Sequence, residues 1–204
     1  MAKKKLSAAQ RRAQLIEVGR KAFSDKGFEA TSVEEIASRA GVSKPIVYQH
    51  FGGKEGLYAV VVDREMTQIV SLIAAAIAEG TARERVDKAA LAFLTYVSDH
   101  PEGFRVLAHD APVASGRGCM SSLMNEVAER VEDVVGGIFT PMGYDAEMAP
   151  IYANALVGMV SFVGQWWTEN RELPVEVVAS HLAAMAWLGL RNLPRQPDPI
   201  PPAS

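Results

Sequence analysis

Between residues 32 and 51 the chain reads SVEEIASRAGVSKPIVYQHF, and this stretch restricts the fold more than any other. Both Thr31-x-x-Glu34 and Ser32-x-x-Glu35 have the form of a helix-capping box. Val33, Ile36, Ala37 and Ala40 then recur at i, i+3, i+4 and i+7, which predicts a short helix with one apolar face ended by Gly41. Ser43 opens another helix; Pro45 is tolerated in its first turn, where backbone N–H groups lack an intrahelical partner, and Gly52-Gly53 ends it. Neither helix can bury an apolar face alone. Joined across so short a turn they must cross and pack, the layout of a helix-turn-helix.

The flanking sequence reads as helix too. Ser7-Ala8-Ala9-Gln10 fits a capping box, Leu15, Ile16, Val18, Ala22 and Phe23 follow at helical spacing, and Gly27 supplies a left-handed stop. A long helix is predicted from Lys54 to about Glu79, then segments over 82–99, 102–109, 118–139, 145–170 and 175–192, with breaks at Gly80, Pro101, Gly116, Gly118, Pro141, Gly143 and Pro174. No stretch alternates with period two between hairpin turns, so the expected class is all-α. The expected organisation is a basic tail over 1–7, a helix-turn-helix domain over 8–53, a larger helical bundle over 54–193 and a proline-rich tail over 194–204.

The second helix of the motif divides cleanly by angle. Taking roughly 100° per residue from Lys44, Val47 and Phe51 fall near 300° and 340° and should pack inward. Pro45, Gln49 and Ile46 lie on the opposite face, with Tyr48 and His50 at its shoulders. That distribution suits a helix entering a DNA groove. Gln49 can pair with adenine N6 and N7, and Pro45 and Ile46 can touch thymine methyl groups. Tyr48 and His50 can reach phosphates on either wall. Ser32, Ser43 and Lys54 mark helix N-termini, each offering unpaired N–H groups to an anion. Charge agrees: residues 1–60 hold 11 Lys+Arg against 6 Asp+Glu, while the remainder is acidic.

Other classes find little support. The single cysteine, Cys119, excludes an intramolecular disulfide framework and a CxxC zinc site. His100 and His109 beside Asp99 and Asp110 lack helical i, i+4 spacing and read as surface residues at a helix junction, so neither a metal nor a cofactor is expected. There is no HExxH, glycine-rich phosphate loop or nucleophile elbow, so an enzyme is the weakest reading. Met148–Thr168 is uncharged and long enough to span a bilayer, but its polar residues favour burial within the protein or between subunits. With no apolar leader after the basic start, the expected location is the cytoplasm, at the nucleoid.

From about Ala13 to Tyr58, and most densely in GFEATSVEEIASRAGVSKPIVYQHFGGKEGLY, the chain resembles the TetR family of bacterial transcriptional repressors. The resemblance implies a homodimeric repressor on a palindromic operator in double-stranded DNA, released by a small-molecule effector. Carried onto this sequence, it implies that Thr31 or Ser32 holds a phosphate, that Ser43 and Lys44 touch DNA, and that Pro45 and Gln49 face bases. Tyr48, His50 and Lys54 would hold phosphates and Phe51 would be core. It also implies a helical ligand domain that dimerises through its last two long helices. Ala155, Gly158, Gly164, Leu182 and Met185 are the candidate interface residues. Phe93, Tyr96, Phe104, Met120, Met124, Phe162 and Trp166 are candidate pocket liners, and their composition suggests an apolar or aromatic ligand. A DNA-binding architectural protein without ligand response is the competing reading.

Overall fold

The computed structural model describes residues 6–108 and 119–194; within the helix from Cys119 the side chains of residues 119–123, 138, 141 and 142 are outside that description. Among the described residues the chain is helical with no strand. The helices are α1 (Ala8–Ala30), α2 (Val33–Ala40), α3 (Lys44–Phe51), α4 (Lys54–Ile77), α5 (Ala82–Asp99), α6 (Pro101–Ala108), α7 (Cys119–Met142), α8 (Ala149–Glu169) and α9 (Val175–Arg191), with a 3₁₀ turn at Ala146–Met148 before α8. They form two compact units: Met1–Gln68 with His100–Leu123, and Ile69–Asp99 with Met124–Ser204.

In the first unit Ser7 forms the full capping box and Ser32 caps α2, while neither Thr31 nor Ser43 makes a side-chain cap. Ser7 Oγ accepts from Gln10 N at 3.2 Å while Ser7 N donates to Gln10 Oε1 at 2.9 Å. Ser32 Oγ accepts from Glu35 N, and Gly41 ends α2 in the left-handed conformation. Gly27 differs from expectation. Its φ of 78° comes with a ψ of 174°, an extended conformation reserved for glycine, so it kinks α1 and one further turn carries the chain to Ala30. Leu15, Ile16, Ala22 and Phe23 of α1 face inward with Val33, Ile36, Ala37 and Ala40 of α2. The T-shaped Phe23–Tyr58 pair, 5.0 Å between centroids, ties α1 to α4. Gly19 permits that approach: a Cβ there would lie 2.8 Å from Leu57 Cδ2.

α6 also belongs to this unit, although it lies far along the chain. It packs on α1, burying Phe104, Val106 and Leu107. Tyr58 Oη donates to Val106 O at 3.4 Å, and Arg20 reaches Glu102 at 3.5 Å.

The second unit is built around α5, against which both α8 and α9 pack. Ala90, Phe93, Leu94, Tyr96 and Val97 are its buried side chains, together with Val178, Ala179, Leu182, Ala183, Ala186 and Leu190 of α9. A Cβ on Gly164 of α8 would stand 2.7 Å from Phe93 Cε1, so that glycine sets how closely α8 meets α5. A smaller cluster gathers Val135, Phe139, Ala149 and Leu190, edged by Tyr144 and Tyr152, and Tyr144 Oη donates to Leu193 O at 2.8 Å. α7 runs through Pro141 to Met142, past the break expected there.

Candidate nucleic-acid interface

The two faces of α3 are sharply different. Val47 is fully buried, while Lys44, Pro45, Tyr48 and Gln49 are exposed and Ile46 and His50 are half-buried. Gln49 therefore stands on the side away from the core. Phe51 is only half-buried, and the Arg12 guanidinium lies 4.9 Å from its ring centroid. Ser32 and Ser43 are exposed at the starts of α2 and α3, and Ser43 makes no capping bond with its side chain. α3 thus presents a glutamine, a tyrosine and a lysine to solvent, and the N-cap serines of α2 and α3 are exposed as well.

Two residues expected at phosphates are engaged elsewhere. Thr31 is 2% exposed, and its hydroxyl donates to Gly27 O at 2.7 Å with Ala22 O at 3.2 Å. It braces the kink in α1 from inside, so Ser32 is the phosphate candidate of the pair. The Lys54 ammonium lies 4.2 Å over the Phe28 ring and donates to Phe28 O at 3.0 Å. A lysine that closes the carbonyl end of α1 is not free for a phosphate. The signal was present in principle, since carbonyls at a helix end attract a cation, but Lys54 is remote from Phe28 in sequence.

Much of the head's positive charge is spent internally. Lys26 pairs with Glu35 at 2.9 Å, and Arg39 spans Asp25 and Glu35 at 2.9 and 2.7 Å. Arg20 and Arg64 converge on Glu17. Lys44 is paired with Glu34 across the turn and lies 5.9 Å from the Tyr48 ring centroid. The hydrogen bond from Lys44 holds the Glu34 carboxyl below the usual carboxylate range, and the same bond holds the lysine above its usual value. Sequence reasoning took Glu34 as a capping residue and missed this pairing; the ten-residue separation becomes a contact only once the turn at Gly41 brings α2 and α3 together.

The other candidate residues scatter. Phe93 and Tyr96 are buried in the second unit, whereas Phe104 is buried in the first. Met124 is half-buried, and the side chain of Met120 lies outside the described residues. Phe162 is 74% exposed and Trp166 49%, so neither lines an interior; it is Trp167, at 3%, that is buried, with Nε1 donating to Leu173 O. Of the interface candidates, Ala155 and Met185 are exposed and Gly158 is half-buried, with open space around a would-be Cβ. Gly164 and Leu182 are corrected to core positions, facing α5 and the interior. His100 contacts Gln68, with 3.1 Å between ring and amide nitrogens, while His109 and Asp110 lie outside the described residues.

α8 was expected to be buried within the protein or between subunits; within the single chain 22% of its most apolar stretch is buried. By length and composition alone the segment Ala146–Glu169 could cross a membrane. Its apolar residues form two rows. Ala149, Ala153, Val157, Gly164 and Trp167 face inward, and Met148, Ile151, Ala155, Phe162 and Trp166 face out on the opposite side. α9 repeats the pattern, with Val177, Met185 and Leu188 outward.

Comparison with known proteins places these features. A family model described as bacterial regulatory proteins of the tetR family matches residues 15–61. A second, described as the tetracyclin repressor-like C-terminal domain, matches residues 71–199. The HTH-type transcriptional activator FasR of Mycolicibacterium smegmatis is 30% identical over 93% of this chain and 87% of its own length. A TetR-like transcriptional regulator from Rhodococcus sp. RHA1 superposes with a TM-score of 0.77 at 29% identity, covering 93% of this chain and all of that one. FadR from Bacillus subtilis, solved in complex with stearoyl-CoA, shares the fold at 14% identity, with a TM-score of 0.73 over 85% of this chain and 96% of its own. Two family models spanning head and body, and a relative aligned over nearly the whole chain, lead to one assignment: this is a DNA-binding transcriptional regulator, not an enzyme, and it belongs to the TetR family.

Proposed function

We propose that the chain acts as a homodimer that reads a palindromic operator through α3 and releases it when an apolar small molecule occupies the second unit. The observation that carries the DNA reading is the outward Gln49, flanked by exposed Pro45 and Tyr48 on a helix anchored by buried Val47. Two copies related by a two-fold axis would set their α3 helices about 34 Å apart, or a multiple of that, along one face of DNA. The outward rows of α8 and α9 support the second copy, because apolar side chains of that size at that spacing gain most from mutual burial.

Release follows from linkage. A ligand that prefers a conformer with wrongly spaced heads must weaken operator binding by the ratio of its two affinities. Whether the outcome is repression or activation depends on where the operator lies relative to the promoter; the protein's DNA contact is the same. The mycobacterial relative is named an activator, and the resemblance noted above is to repressors, so the chain's sign is read from a promoter fusion. Such a regulator works in the bacterial cytoplasm, where the chromosome is.

The test is a mobility shift on DNA flanking the gene, with scrambled DNA as competitor and a salt series. Native DNA should bind far more tightly than scrambled DNA, with a steep salt dependence. Gln49→Ala should lose about 1–3 kcal/mol of discrimination at one base position in each half-site. Stearoyl-CoA, chosen for the Bacillus FadR complex, is the first effector to add. Equal affinity for native and scrambled fragments would defeat the specific-regulator reading and favour an architectural protein.

A further inference from the structure

The head keeps one carboxylate against the lysine that opens its DNA-reading helix. Glu34 and Glu35 both occupy the first turn of α2, but they turn different ways. Glu35 pairs with Lys26 and Arg39, away from α3. Glu34 crosses to α3 and pairs with Lys44, whose other neighbour is the exposed Tyr48 ring. The two partners remain 62% and 47% exposed, so a phosphate has open access to the ion pair. A carboxylate here occupies the place on Lys44 that a phosphate oxygen would take, with the same charge sign and the same hydrogen-bonding pattern.

We infer that Glu34 is an affinity-setting residue, an internal stand-in for phosphate that neutralises Lys44 until DNA displaces it. The inference rests on the reading of α3 as the helix that meets DNA. Nonspecific binding is supplied almost entirely by phosphate neutralisation. A lysine already neutralised by its own chain contributes less to that background, and an approaching phosphate also meets the Glu34 charge. Base contacts from Gln49 are unaffected. The pair therefore lowers affinity for all DNA by about the same factor, with or without base contacts.

The experiment compares wild type with Glu34→Gln, Glu35→Gln, Lys44→Met and the double variant Glu34→Gln/Lys44→Met, on native flanking DNA and scrambled DNA across 50–200 mM salt. Circular dichroism melts first establish that each variant is folded, and Gln49→Ala is run alongside. Glu34→Gln should bind both DNAs several-fold more tightly at low salt. Its slope of log affinity against log salt should steepen by about 0.9 per head, so the gain per head shrinks about 3.5-fold over that range. The ratio of native to scrambled affinity should stay as in wild type, since base contacts are untouched. Glu35→Gln, which makes the same change in net charge, should move affinity much less, and Glu34→Gln should have a clearly smaller effect once Lys44 is methionine, leaving only the direct repulsion of phosphate. If Glu34→Gln leaves affinity and slope unchanged, weakens binding, or acts equally in the Lys44→Met background, the inference is overturned. Failure of the α3 reading has a different signature: Gln49→Ala then leaves sequence discrimination intact.

Discussion

Gly56, in the first turn of α4, touches the end of α3, and replacing it with alanine tests how the two are joined. A Cβ at this position would lie 1.9 Å from Phe51 O and 3.0 Å from Phe51 C. A comfortable carbon-to-oxygen approach is about 3.3 Å, so roughly 1.4 Å of movement is needed. The obstacle is backbone. The carbonyl belongs to the last residue of α3, just before the Gly52 cap, whose N–H donates to Tyr48 O at 2.8 Å. Extra methyl groups among mobile side chains cost about 1–3 kcal/mol; against a fixed carbonyl the cost should reach at least about 3 kcal/mol. Gly52→Ala is the comparison. Its φ of 75° is left-handed, but nothing lies within 4 Å, so only the conformational cost of about 1–2 kcal/mol applies. Urea denaturation followed by circular dichroism gives the ranking, and anisotropy on a DNA duplex reports whether α3 still docks. Gly56→Ala should be the less stable variant and the weaker DNA binder. If it unfolds within about 1 kcal/mol of wild type with undiminished binding, Gly56 is a flexible joint and the close-packing argument fails.

Other expectations follow from the same reasoning. Phe162→Glu should dissociate the proposed dimer: the ring is 74% exposed, so each copy would forfeit burial of roughly 150 Å², about 3–4 kcal/mol as an upper bound. Sedimentation at micromolar concentration reads this, and an unchanged dimer would move the interface elsewhere. Lys54→Met should lower the melting temperature while leaving the salt slope of DNA binding as in wild type, because its ammonium is held by the end of α1; a shallower slope would restore it as a phosphate contact. Glu84 accepts from Thr81 N at 2.8 Å, and that bond holds its carboxyl below the usual range. Its contribution is therefore complete above the ordinary glutamate pKa and is lost as pH falls through the depressed folded value. The difference in melting temperature between wild type and Glu84→Gln should narrow as acid is added, and a constant difference would contradict the assignment.

What could be read in advance follows from how far each interaction reaches along the chain. The caps at Ser7 and Ser32, the apolar face of α2 and the buried phase of Val47 are settled within one or two turns, and all were legible. α8 was not. Apolar residues cover it on all sides, so periodicity could not say whether Trp166 or Trp167 faces inward; α5 decides, by demanding Gly164 against Phe93. Gly164 and Leu182 were misplaced for the same reason. Thr31 and Lys54 failed differently: residue type suggested phosphate contacts, but each is claimed by a carbonyl of α1, for Thr31 one four residues back at the Gly27 kink and for Lys54 one that only tertiary structure brings near. The pocket candidates were chosen by side-chain type, and type alone cannot separate a liner from core, as Phe104 in the first unit illustrates.

The placement of α6 bears on how regulators of this kind could be recombined. A graft carrying only residues up to Gln68 onto another body would leave behind Phe104 and Leu107, which seal one flank of α1, and the carboxylate that meets Arg20. The transplanted head would arrive with a hydrophobic wound. Exchange of operator preference between paralogues should therefore proceed by substitutions within α2 and α3, or by a double crossover that carries α6 along with its host.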